Sequence, residues 1–258
     1  MEEINTNKEE EQQELTVMEA VSGILSAPSE TFESVAKGKP RNFWLIPTII
    51  MVVIGLISSY LFMQDNELIG KMMDKQKEKM REKMEESVKA GKMTPEQSKE
   101  AVERAEKFMD PNSIFFKITG MAGALFSPFV MLFALCAIYL VIMKILKNDI
   151  VFTNLLNVVG LSMIVLAISS IVTVVLSIVM GNLTSVGLAL ILKPENVGNM
   201  LHALLLKLDI FTIWFYVLVA IGLTKVAKIK TVTSYIVVFG VWVIWLAITT
   251  ALSNVFGG

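Results

Sequence analysis

Apolar positions in this chain come in blocks, and the blocks differ in period. Val17, Met18, Val21, Ile24 and Leu25 recur at three- and four-residue spacing, which puts one apolar stripe on a helix. Pro28 suits the first turn of a following helix, where Phe32, Val35 and Ala36 give a second short stripe ending at Gly38. Two short amphipathic helices are predicted, lying on a membrane face or on a helical bundle. The residues before them, 1–14, are polar and acidic, with too little to bury to hold a fixed structure.

Five later blocks are apolar with no charged face: Phe43–Met63, Ile118–Met143, Leu155–Met180, Leu208–Leu223 and Val232–Leu252. Such runs approach or exceed the ~20 residues that carry a helix across a bilayer, so five spans are predicted. Trp44 suits the interface at the mouth of the first span, and Pro47 falls in its opening turn, where a missing N–H does least harm. Pro128 is expected to kink the second span. The run Leu183–Leu192 is too short to cross and is read as interfacial or re-entrant.

Between the first two spans, Asp65–Ser113 is polar. Its Lys, Glu and Met residues from Leu68 to Lys89 favour helix, with Gly91 as a stop. Thr94-Pro95-Glu96-Gln97 then makes a capping box with proline at the first helical position. A helical hairpin is predicted, with Met80, Met84 and Val88 meeting Val102, Ala105 and Met109. The fold class is thus all-α and membrane-embedded. Residues 1–41 form an amphipathic amino-terminal region, 42–64 the first span, 65–113 the hairpin and 114–258 a four-helix remainder.

Composition agrees: 54% of residues are hydrophobic and only 18% charged, against about a quarter charged in a soluble domain. The net charge of −1 gives no electrostatic sign of a nucleic-acid partner, and none is expected. The opening residues lack a basic segment followed by an apolar core, so the first span is expected to direct insertion. Lys37, Lys39 and Arg41 precede the first span, Lys144 and Lys147 follow the second, and Lys225, Lys228 and Lys230 separate the fourth from the fifth. An excess of basic residues marks cytoplasmic loops, which predicts a multi-pass protein of the cytoplasmic membrane. Its amino terminus lies inside, its carboxyl terminus outside and its hairpin outside.

Chemistry-bearing patterns are sparse. The one histidine, His202, has no apparent partner, no nucleophile elbow occurs, and Gly38-Lys39-Pro40 lacks the flanking residues of a phosphate loop. The single cysteine, Cys136, lies in an apolar block and reads as a small buried hydrophobe. Neither an enzymatic activity nor a cofactor is expected. Ser162, Ser169, Thr173 and Ser177 share one face of the third span; they line a polar path in a channel or transporter, or serve close helix packing. Gly120 and Ala124 have the same packing reading. Met72, Met73, Met80, Met84, Met93 and Met109 crowd the hairpin, as adaptable packing or as thioether ligands for Cu(I).

The order of elements carries a resemblance. Ser26-Ala27-Pro28-Ser29-Glu30-Thr31-Phe32 precedes Trp44-Leu45-Ile46-Pro47, and Asp209-Ile210-Phe211-Thr212-Ile213-Trp214 precedes Gly222-Leu223 and a lysine-rich turn. This resembles the prokaryotic branch of the Yip domain family, the Ypt/Rab-interacting membrane proteins. The resemblance implies a five-helix membrane domain with a cytosolic amino terminus. Eukaryotic members are linked to Rab GTPases and vesicle traffic, but the Asp-Leu-Tyr-Gly-Pro segment of one eukaryotic subgroup is absent here, and that role is not carried over. The expected function is a non-enzymatic membrane scaffold or adaptor, with a channel or small-solute transporter as the alternative. Besides the lipid bilayer, its partners are expected to be proteins, a second copy of the chain among the candidates. Val17, Met18, Val21, Ile24, Leu25 and Phe32 are the candidate contact residues.

Overall fold

The computed structural model describes residues 15–181, 186–187 and 208–256. Two short helices, α1 (Val17–Ser26) and α2 (Pro28–Lys37), precede α3 (Leu45–Gln64). A hairpin of α4 (Asn66–Lys89) and α5 (Pro95–Phe108) follows. Four further helices complete the described chain: α6 (Ile114–Ile145), α7 (Phe152–Met180), α8 (Ile210–Val226) and α9 (Thr231–Phe256). His202 and nearly all of the Leu183–Leu192 run lie outside the described residues.

Four of these helices, α3, α6, α7 and α9, are long and apolar enough to cross a membrane, and the protein is a multi-pass integral membrane protein. The fourth predicted span is α8, equally apolar but with only 17 described residues. At 1.5 Å per residue that is about 25 Å, close to the ~30 Å of a hydrocarbon core.

Helix α7 lies at the centre, packed against α3, α6 and α8, and every residue from Leu155 to Val165 is buried. A helix apolar all round belongs in such a position. The outer helices present large apolar side chains outward instead, among them Ile57, Ile118, Val130, Val141 and Ile236. In a soluble protein that much exposed apolar surface would drive aggregation; here it is the lipid-facing wall.

Helix α6 runs unbroken through Pro128. A proline has no N–H to give, so the carbonyl of Ala124 loses its helical donor. Gly55 of α3 faces that carbonyl: a Cβ there would stand 3.4 Å from it and 3.6 Å from the Ala124 methyl. Those are ordinary contact distances, so α3 packs closely on α6 at Ala124 with room for no more than a methyl at Gly55.

The hairpin has two distinct parts. Its base is seated, with Leu68, Ile69 and Met73 buried beside the far ends of α3 and α6. Beyond the base, Met80, Met84, Val88, Val102, Ala105 and Met109 are only half-buried, and no residue of α5 is buried. An Arg81–Glu106 ion pair crosses between the arms, and the predicted capping box at Thr94 and Gln97 is formed. Met72 and Met73 belong to the base, not to the seam, so the hairpin methionines do not form one cluster.

Candidate functional site: the amino-terminal cap

At the end of the bundle opposite the hairpin, α1 and α2 fold over the helix ends. The backbone dictates how they start. Thr16 Oγ1 accepts from the Glu19 N–H at 3.2 Å, and Glu19 Oε2 accepts from the Thr16 N–H at 2.8 Å, a reciprocal capping box. That bond to the Thr16 backbone holds the Glu19 carboxyl below its ordinary value. Pro28 then opens α2 at its first turn, so the chain turns a corner at Ala27. Gly23 allows the corner to be tight, since a Cβ there would stand 2.4 Å from Thr31 Oγ1.

The buried face of this cap is nearly closed. Ala20, Ile24 and Phe32 have no exposed surface at all. Full burial of a side chain such as Ile or Phe contributes about 1.5–3 kcal/mol, so Ile24 and Phe32 anchor the cap strongly. The Phe32 ring lies over Gly222 of α8: a Cβ on that glycine would be 3.0 Å from Phe32 Cζ and 2.5 Å from Val158 Cγ1 of α7. Glycine at 222 is what admits both neighbours.

Polar contacts fix the same arrangement. Glu33 of α2 accepts from Lys37 at 2.7 Å and from Lys225 of α8 at 2.9 Å. These two cations, Lys37 foremost, lower the Glu33 carboxyl to about 2. Asn157, buried at the start of α7, donates to the Arg41 carbonyl at 2.9 Å and accepts from the Trp44 N–H at 3.3 Å. One amide thus holds both sides of the link between α2 and α3. Gly160, one turn on, makes room for Trp44, whose Cβ would be 2.4 Å from an added Cβ. Arg41 closes the cap by donating to the Leu15 carbonyl at 3.3 Å.

The stripe predicted from periodicity therefore divides. Ile24 and Phe32 are fully inside, and Val17 and Val21 are half-buried against the core. Met18 is 69% exposed and Leu25 39% exposed, seven residues apart on one face of α1. The surface of α1 that remains open carries Met18, Ser22 and Leu25.

The hydroxyl face of the third span divides too. Ser162 is buried and bonds back to the Val158 carbonyl at 2.8 Å, and Ser177 is buried near the other end. Only Ser169 and Thr173 reach open space, an open-sided cleft of about 320 Å³ shared with Ser58, Ser127, Ser170 and Gly55. Ser58 and Ser170 in that cleft are satisfied by carbonyls one turn back in their own helices, at 2.7 and 2.9 Å. Among the described residues, no group of three or more His, Cys, Asp or Glu side chains converges as metal ligands would.

Asn157, Gly160, Gly222 and the Glu33–Lys225 pair were not candidates from the sequence. The amide had a visible signal, being the one Asn within an otherwise apolar stretch of span. Gly222 entered only as part of the resemblance, and Gly160 and the ion pair had no signal, because their partners lie far away in the chain.

The chain matches the sequence model of the Yip1 domain over residues 22–253. No curated protein and no solved structure matches it.

Proposed function

The chain belongs to the Yip1 domain family, and from that premise we propose that it acts as a non-enzymatic integral membrane scaffold whose partner-binding element is the amino-terminal cap. The observation that carries this reading is the cap's two-sidedness. One side is anchored by Ile24, Phe32 and Glu33, and the other leaves Met18 and Leu25 open to solvent or membrane surface. A rigid helix presenting two apolar anchors suits reversible docking, because little ordering entropy is left to lose on binding.

In this reading the bundle crosses the cytoplasmic membrane five times, with α8 as the fourth crossing. The cap and both lysine-bearing turns lie in the cytosol, and the hairpin lies outside. The turn between α6 and α7 and the end of α8 touch, since Asn148 Nδ2 donates to the Ala227 carbonyl at 2.8 Å. The basic segments thus share one end of the bundle, as the charge rule requires.

Replacing Met18 and Leu25 by glutamate tests the scaffold. Both positions are exposed, so the variant should insert and keep its thermal midpoint within about 1–2 °C, as a near-neutral surface change implies. Crosslinking in native membranes should yield discrete adducts from the wild type that the variant lacks. Unchanged adducts in a folded variant would place the contact elsewhere.

The cleft at Ser169 and Thr173 favours the alternative, a small-solute path. For transport, Ser169→Val with Thr173→Val should abolish solute flux into proteoliposomes, whereas the scaffold reading expects no flux from either protein.

A further inference from the structure

Helix ends in this protein use two different residues for the same backbone task. Gly91 after α4 and Gly181 after α7 take left-handed φ values of 68° and 60°. Glycine is the ordinary residue there, because it has no Cβ to clash. After α6 and α8 the same conformation is taken by Lys147 and Lys228, with φ of 56° and 54°, the two non-glycine residues with positive φ among the described residues. A strained residue that glycine could replace points to a use for the side chain.

The two lysine-bearing turns touch one another. Asn148 follows Lys147, and Ala227 precedes Lys228; the Asn148 side chain donates to the Ala227 carbonyl at 2.8 Å. Asn148 is itself held, accepting from the Ile150 N–H at 2.9 Å. Lys144 and Lys230 are exposed in the same two turns. The one acid there, Asp149, is fully exposed and reaches Lys144 at only 3.9 Å. Lys225 is already engaged by Glu33.

Beside these cations lies a rim of exposed apolar side chains: Ile145, Leu146 and Val151 around one turn, Val232 at the other. In an integral membrane protein such side chains face acyl chains. The lysines next to them then stand at headgroup depth, their long stems free to lift the ammonium groups to the phosphates.

We infer that the paired turns at Lys147 and Lys228 form a binding site for the headgroup of an anionic phospholipid. The site rests on the helices crossing a membrane and does not depend on the scaffold reading. Two ammonium groups neutralise the phosphodiester, Lys144 and Lys230 flank it, and the Ile145–Leu146 and Val232 surfaces receive the acyl chains. Free phosphate offers the same charge but not the chains, so the commitment is to the lipid.

The test uses the full chain purified in mixed micelles and native mass spectrometry, with phosphatidylglycerol and phosphatidylcholine as the probes. Wild type should retain phosphatidylglycerol in preference. Lys147→Gln with Lys228→Gln should reduce that preference on the order of 20-fold, about fivefold per lysine, from the ~1 kcal/mol a cation contributes at an anionic surface. Lys147→Gly with Lys228→Gly should lose the same preference while raising the thermal midpoint in phosphatidylcholine, because the backbone strain is relieved. That pairing separates lipid binding from folding, and Lys→Arg at both positions should keep the preference. Lys83→Gln with Lys89→Gln on the hairpin should change nothing. Equal retention of the two lipids by wild type overturns the site, as does a preference that survives the Gln or Gly pair. Complete displacement of phosphatidylglycerol by inorganic phosphate would identify a free-anion site and overturn the lipid assignment.

Discussion

Gly222 is where the cap, α7 and α8 meet, and Gly222→Ala measures how tightly. Two effects oppose each other. Alanine gains about 0.8–1 kcal/mol over glycine inside a helix. Its Cβ, however, would lie 2.5 Å from Val158 Cγ1 on one side and 3.0–3.1 Å from the Phe32 ring on the other. Val158 and Phe32 have no exposed surface, so neither can swing out of the way. Overpacking of this kind costs roughly 1–3 kcal/mol, so the clash should offset the helix gain and leave a net loss of up to about 2 kcal/mol. Val158→Ala alone should cost roughly 1.5–3 kcal/mol of lost burial. Combined, the new methyl occupies space that Val158 vacates, and the double variant should be more stable than the sum of the singles by about 0.5–3 kcal/mol. Gly240→Ala is the control: nothing lies within 4 Å of an added Cβ there, so it should be neutral or stabilising. Scanning fluorimetry in detergent reads the midpoints, with each kcal/mol worth about 2–4 °C for a chain of this size. Strict additivity of the Gly222 and Val158 changes, or a stabilised Gly222→Ala, would refute the close packing of cap on bundle.

Three further outcomes follow from the same contacts. Ile24→Asp should unseat α1 and expose residues 15–41 to limited proteolysis, whereas Met18→Glu should leave the digestion pattern unchanged, since Ile24 has no exposed surface and Met18 is 69% exposed. Glu33 has its carboxyl lowered from 4.5 to about 2, so the α2–α8 ion pair is fully present above pH 4.5 and is lost as pH falls toward 2; the pair is partly exposed and Ile24 and Phe32 still anchor the cap, so protease sensitivity should rise only slightly through that window in the wild type, and Glu33→Gln should start slightly more sensitive and show no such rise. Replacing residues 75–108 of the hairpin by a flexible linker should leave an insertable, monodisperse protein, while extending the cut back to Asp65 should lower its thermal midpoint, because Leu68, Ile69 and Met73 are buried at the base.

Much of the architecture was legible in the sequence because it is written in local chemistry. The capping box at Thr94 was read directly, since it needs residues only three apart, and the structure adds a second of the same spacing at Thr16 and Glu19. The long spans emerged from run length alone, and the hairpin from its charges and its Gly91 stop. What periodicity could not say is what covers an apolar stripe. Val17, Met18, Val21, Ile24 and Leu25 read as one face, yet α2 and α7 cover Ile24 and leave Met18 open. Small residues hid the reason: Ala20 and Gly23 carry little hydrophobic signal but stand where α1 meets its neighbours. Likewise, Ser162 and Ser169 are equivalent along the third span. They part because α7 is enclosed by other helices around Ser162 and borders a cleft at Ser169. The cap's two helices were legible, but the contacts that dock them were beyond reach for a related reason. Asn157 bonds residues 113 and 116 positions away, and Glu33 a lysine 192 positions away, distances over which a single sequence holds no pairing information.

Placement of the cap and both lysine-bearing turns on one side of the membrane, with the hairpin on the other, is the claim on which scaffold and lipid site both depend. Single cysteines at Lys37, Lys147, Lys228 and Lys89, introduced on a Cys136→Ala background, test it with a membrane-impermeant thiol reagent on intact cells and on inverted vesicles. Lys37, Lys147 and Lys228 should label only from the cytosolic face, and Lys89 only from the outside. Labelling of Lys89 from the same side as Lys228 would contradict the five crossings and the assignment of the cap to the cytosol.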